Sequence, residues 1–218
     1  LGYAEADPTA DVDGIDAGRK ICILGDLAFG RQIREEDVPM TGIRGISLED
    51  VKIARRAGYR IKLLGRALRL AENQRTAYVA PHLIHEDSPM AHVEDVYNAI
   101  MVRGNAIGDV MFYGRGAGEM PTASAVVADV MECLLTSPRK DDVTWNADSS
   151  GLCDPQEVVS RFYFRIDGSL SDALYAFGQV EVLSENGQTV FLTDAISEKK
   201  AKERAEQLSV CTCLRVLS

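Results

Sequence analysis

Five acids and one lysine crowd the start of the chain: in LGYAEADPTADVDGIDAGRK, Glu5, Asp7, Asp11, Asp13 and Asp16 precede Lys20. Asp16 and Lys20 are four residues apart, so in a helix they share a face and can meet as an ion pair. Two chemistries fit that spacing. Held against a low-dielectric surface, a lysine gives up its proton more readily and can exchange it with a substrate oxygen. Left in water, the same pair is an ordinary surface contact of about 0.3–0.5 kcal/mol. Carboxylates such as Glu5 and Asp16 suit the ammonium group of an amino-acid-like substrate. Lys20 suits a carbonyl or alcohol in redox chemistry, which needs a proton donor or acceptor within about 3 Å of its oxygen.

These residues must be carried by definite elements. Asp13 is the expected N-cap of a helix opened by Gly14 and Ile15, with Asp16 favoured at its positive end. Ile21, Cys22, Ile23, Leu24, Leu27 and Ala28 take that helix into a core. Pro8 keeps the chain between Glu5 and Asp11 out of a helix and turns the loop acids toward the helix start. Residues 30–45 read as a polar connection. Ser47 and Asp50 form a capping-box pattern for a helix ended by Gly58. Residues 59–70 and 76–84 read as paired strands around the polar turn 72–74, and 97–102 and 110–113 as two more strands. Strands so close together, with no helix between them, imply antiparallel pairing.

A second candidate is FYGRGAGEMPTASAVVADV, residues 112–130: a strand, then GRGAG, then a helix over 122–135 with Pro121 in its first turn. Gly114, Gly116 and Gly118 permit a tight turn and close backbone approach. The loop could cradle a phosphate, or its glycines could serve helix-to-sheet packing. It lacks the GxGxxG spacing and the later acidic residue of a dinucleotide fingerprint, and Glu119 repels phosphate.

Composition narrows the classes. The 218 residues allow one large domain or two small ones, and 46% hydrophobic residues suffice for a core. A net charge of −9 excludes a general nucleic-acid binder, which needs a basic excess. The five cysteines, at 22, 133, 153, 211 and 213, are odd in number and show no CxxC, which points to a reducing compartment without disulfides or a structural zinc. His82 and His85 fall on opposite faces of a strand, so no metal site is expected. No run reaches membrane-spanning length and no leader pattern opens the sequence, so a cytoplasmic protein is expected. Leu1 starts in mid-pattern, as in a piece of a longer protein. Residues 137–154 are polar and turn-rich, a linker pattern. Beyond them, 161–217 read as β-α-β-β-α-β with an Asn186-Gly187 hairpin turn.

The segment GYAEADPTADVDGIDAGRK resembles the signature of homoserine dehydrogenases. IKLLGRA, SPMAHVEDVYNAI and FYGRGAGEMPTASAVVADV follow in that family's order and spacing, over about residues 1–135. The resemblance implies NAD(P)-dependent interconversion of aspartate 4-semialdehyde and homoserine, in threonine and methionine biosynthesis. Carried over by position, Lys20 matches the catalytic lysine that handles the proton on the substrate oxygen. Glu5 and Asp16 match acids that hold the substrate's amino group, Asp11 matches a supporting acid, and Gly118 matches a contact near the nicotinamide. NAD(P) is expected to sit mainly on an N-terminal nucleotide-binding domain that this sequence lacks, leaving little or no activity alone.

The tail resembles a shortened ACT domain, a small ligand-binding and dimerising module. Asp167-Gly168-Ser169 stands where such domains carry an aspartate and a proline-glycine turn for amino-acid feedback binding. The expected architecture is α+β: a mixed or antiparallel sheet covered by helices over 1–140, a linker over 141–158 and a small βαββαβ ACT-like domain over 159–218. A homodimer is expected, with no nucleic-acid or membrane partner. The competing expectation is a non-catalytic dimerising or effector-binding regulatory module whose acidic start is a solvated surface.

Overall fold

The computed structural model describes residues 7–135, 146 and 148–217. Two compact units emerge among them: residues 7–86 with 146 and 148–217, and residues 87–135.

In the larger unit, a single turn α1 (Thr9–Val12) leads into α2 (Ile15–Phe29). Asp13 is not the N-cap. Gly14 takes that place in the left-handed conformation (φ 83°) with no side-chain cap, because the Asp13 carboxylate is engaged by Arg44. Gly14 also lies so close to Val79 that a Cβ would come within 2.9 Å of its Cγ1. The helix buries Gly18, Cys22, Gly25 and Asp26 and ends on Gly30, also left-handed. Next comes α3 (Leu48–Arg56), opened by the expected capping box: Asp50 N donates to Ser47 Oγ at 3.1 Å and Ser47 N to Asp50 Oδ2 at 2.9 Å. Strands β1 (Tyr59–Ala71) and β2 (Gln74–His85) then pair antiparallel, with Tyr59 opposite His85 and Ala67 opposite Ala77.

The smaller unit holds the antiparallel hairpin β3 (Tyr97–Gly104) and β4 (Gly108–Arg115), followed by α4 (Glu119–Leu135). Tyr97 and Tyr113 stack across the hairpin at 4.8 Å, and Arg115 lies over the Tyr97 ring. Among its described residues only Ala91 is buried. Met120, Val126, Val127, Val130, Leu134 and Leu135 of α4 are all exposed.

The chain re-enters the larger unit through residues 148–154, which are laid along the start of β2. Arg75 N donates to Gly151 O at 2.9 Å and Cys153 N to Arg75 O at 2.8 Å, while the buried Arg75 guanidinium donates to Ser150 O at 2.6 Å. A short bridge follows between β5 (Val159–Ser160) and β9 (Ile196–Ser197). The remaining elements are β6 (Phe162–Ile166), α5 (Leu170–Phe177), β7 (Val180–Ser184), β8 (Thr189–Thr193), α6 (Glu198–Ala205) and β10 (Val210–Val216). This is the split β-α-β arrangement the tail's pattern predicts, with strand order β10-β6-β8-β7. Its edge strand β10 runs parallel to β2, Arg215 opposite His82 and Val216 opposite Leu83. One mixed six-stranded sheet results, β1-β2-β10-β6-β8-β7.

Strand alternation sorts the core onto the two faces of that sheet. Ile53 of α3 packs with Leu83, Tyr163, Leu192 and Leu214, and Cys22 of α2 with Ala77 and Val79. On the opposite face, Phe162, Phe164 and Phe191 pack with Ala173 and Phe177 of α5 and Ala201 and Ala205 of α6. Among the described residues, no helix is long and apolar enough to cross a membrane.

Candidate active site

The buried stripe of α2 fixes the direction of everything else on that helix. With Gly18 and Cys22 against the sheet, Asp16 and Lys20 point away from it, and Lys20 Nζ meets Asp16 Oδ2 at 2.6 Å. The expected pair is therefore formed. The Lys20 side chain is 59% exposed, so of the two chemistries that fit the spacing the larger unit by itself presents the solvated surface pair. Ile23 and Leu27, three and seven residues further on, continue the same exposed face as an apolar stripe.

Asp11 sits exposed in α1, one turn ahead of α2, and its carbonyl accepts from Gly14 N at 3.3 Å. Asp7 accepts from the hydroxyl and backbone N–H of Thr9, at 2.5 and 3.0 Å, and these bonds hold its carboxyl below the usual range. The structure thus pairs Asp16 with Lys20 on α2 and places Asp11 in the single turn that precedes them. Glu5 lies outside the described residues. Gly118 belongs to the smaller unit, where it adopts φ 127° at the start of α4 and its carbonyl accepts from Thr122 N at 3.1 Å.

Arg44 is the residue that sequence reasoning passed over. Its Nε donates to Asp13 Oδ1 at 2.5 Å and its Nη2 to Asp13 Oδ2 at 3.2 Å. The signal available was arithmetic: five acids in sixteen residues call for a nearby cation, and residues 30–45 supply it. The two histidines on β2 diverge as expected. His82 is buried beside Tyr78, its Nδ1 2.8 Å from Ala80 O, whereas His85 is exposed against the edge of Tyr59. Burial, with Arg66 and Arg215 close by, pushes His82 down to about 3, so it is neutral at pH 7.

An exposed ammonium with a carboxylate partner, beside further acids on a rigid corner, can bind a zwitterionic amino acid and exchange a proton at its side-chain oxygen. Known proteins identify the family. The homoserine dehydrogenase family model matches residues 1–131. A homoserine dehydrogenase of Synechocystis sp. is 42% identical over 91% of this chain and 49% of its own length, and one from Pseudomonas aeruginosa is 39% identical over 94% and 48%. A crystal structure of a homoserine dehydrogenase from Thiobacillus denitrificans superposes with a TM-score of 0.84 at 34% identity, covering 100% of this chain and 56% of that one. The chain spans about half the length of these relatives. Matched by the family model over more than half its residues and by curated relatives across nine-tenths of its length, the chain belongs to the homoserine dehydrogenase family.

Proposed function

We propose that this chain is the substrate-binding and catalytic part of a homoserine dehydrogenase, interconverting aspartate 4-semialdehyde and homoserine with NAD(P) in threonine and methionine biosynthesis. The observation that carries this reading is the Asp16–Lys20 pair, formed at 2.6 Å on the outward face of a helix clamped to the sheet. Lys20 exchanges the proton on the substrate oxygen, Glu5 and Asp16 hold the ammonium group, and Asp11 supports them. The cofactor supplies the hydride when bound.

NAD(P) is held mainly by a separate N-terminal nucleotide-binding half, with Gly118 contributing backbone contact from this chain. Three observations support this reading of the cofactor and its place. The relatives are about twice as long as this chain, and one related structure, a hyperthermophilic archaeal homoserine dehydrogenase, is described in complex with NADPH. The bare apolar face of α4 is the kind of surface a second domain covers. The β-α-β-β-α-β tail is an ACT-like module, the enzyme is a cytoplasmic homodimer, and 1–140, 141–158 and 159–218 are its catalytic region, connection and ACT-like part.

The test is homoserine oxidation by this chain with and without a separately supplied nucleotide-binding half. Turnover that appears only with the added half supports the reading. Folded protein that stays inactive in both cases overturns it in favour of a non-catalytic, effector-binding or dimerising module.

A further inference from the structure

The acids of the α1–α2 corner are held from two sides. Beneath them, Gly14 rests on Val79 of β2. Over them runs a strap, residues 40–44, out of what reads in sequence as a mere polar connection. The strap is anchored on the same strand residue: Thr41 N donates to Val79 O at 2.8 Å, Val79 N donates to Pro39 O at 2.9 Å, and Met40 bridges Val79 while its thioether fills the space beside Gly18. Gly42 then passes so close to Val12 O and the Asp13 backbone that a Cβ there would overlap both, and Ile43 N donates to Val12 O at 2.9 Å.

Arg44 closes the strap. Its two bonds to the Asp13 carboxylate are joined by a third, from Nη2 to Thr9 Oγ1 at 3.4 Å, and Thr9 in turn donates to Asp7. One guanidinium therefore ties Thr9 to Asp13, with Asp11 between them and Asp16 three residues beyond. A four-residue turn has no cooperative stability of its own, and the neighbouring acids repel one another. The side chain of Arg44 is 60% exposed, so the pair adds little to global stability. What a planar, two-pronged contact fixes is direction.

We infer that Arg44 is a positioning residue for the reaction, aligning Asp11 and Asp16 through its grip on Asp13; this rests on the catalytic reading of the Asp16–Lys20 pair. The test uses the full-length enzyme with Arg44→Ala, Arg44→Lys, Asp13→Ala and the double Ala variant. Misplacement by about 1 Å costs a site up to about 100-fold, so Arg44→Ala should lower kcat/KM for homoserine by roughly 10- to 100-fold. The KM for the dinucleotide and the thermal midpoint should stay unchanged. Asp13→Ala should match that loss, the double variant should be no worse, and Arg44→Lys should recover part of it.

Losses that multiply in the double variant would mean that Arg44 meets the substrate directly, and unchanged kcat/KM would mean that it does nothing for the site; either overturns the inference. Lys20→Met run alongside separates the claims. Turnover surviving that change sinks the catalytic reading and this inference with it, whereas its loss beside an unaffected Arg44→Ala sinks the positioning role alone.

Discussion

Asp50 and Arg165, brought together from α3 and β6, form a two-pronged ion pair inside the larger unit: Nε donates to Oδ1 at 2.7 Å and Nη2 to Oδ2 at 3.0 Å, with the Asp50 side chain fully buried and that of Arg165 11% exposed. The same carboxylate caps α3 through Ser47 and accepts from Tyr163 Oη at 2.9 Å and Thr212 Oγ1 at 3.1 Å. Asp50 therefore binds the start of α3 to β6 and β10. The tail's sheet is joined to β2, and the opening helices are clamped to β2 as well.

Removing one partner of that pair should be costly. Asp50→Ala leaves a guanidinium, the hydroxyls of Ser47, Tyr163 and Thr212 and the Ser47 backbone N–H without that acceptor, and breaking a buried pair costs about 3–5 kcal/mol. Urea unfolding should show that loss, with the midpoint shifted down for α2 and the C-terminal strands together. Replacing both partners by apolar side chains, Asp50→Leu with Arg165→Met, should lose less. Separate unfolding of the C-terminal strands, with α2 unaffected, would contradict the joint.

What could be read from sequence was local. The Asp16–Lys20 pair, the Ser47–Asp50 capping box and the Asn186-Gly187 turn each depend on residues within a few positions of one another, and each is found. Asp13 misled because its short-range signal, an acid before a helix, lost to Arg44, 31 residues away. Nothing in the spacing of Asp50 points to Arg165, nor in β10 to its place beside β2. Such contacts follow from how the sheet assembles, and the lysine's surroundings depend on which surfaces close over α2.

Acid should weaken the larger unit in two stages. His82 is held at about 3, below its ordinary 6.5, so the unfolded chain takes up that proton first and stability falls as pH drops from about 6.5 toward 3. Burial by itself would raise Asp50, but its hydrogen bonds to Arg165, Ser47 and Tyr163 outweigh that and hold it at about 2. Its contribution is complete above about 4 and is lost as pH falls from there toward 2. Thermal midpoints measured from pH 8 to 3 should decline through the first window, and His82→Gln should flatten that part of the curve alone. A profile level from about pH 7 to 4.5 would show that His82 does not titrate as its surroundings require.

Lys20→Met in the full-length enzyme should reduce kcat for homoserine oxidation by about 10²–10⁴-fold, the usual contribution of a positioned acid or base. Lys20 is largely exposed, so the melting temperature should hardly move. A drop of only a few-fold with the fold intact would remove the lysine from proton transfer and leave it as a surface partner of Asp16.

The apolar face of α4 is open to solvent in this chain. Val127 and Leu134 lie two helical turns apart on one side, and both are exposed, so an aspartate at either meets water and leaves the stability of this chain nearly unchanged. If the nucleotide-binding half covers that side, the same change buries an unpaired carboxylate in the interface, a penalty of several kcal/mol. Val127→Asp and Leu134→Asp should then each abolish restoration of activity by the added half, whereas Ala125→Asp, on the opposite side of the helix beside Asp129, should weaken it less. Equal restoration by all three variants would free α4 from that contact and leave its apolar face to a second copy of the chain.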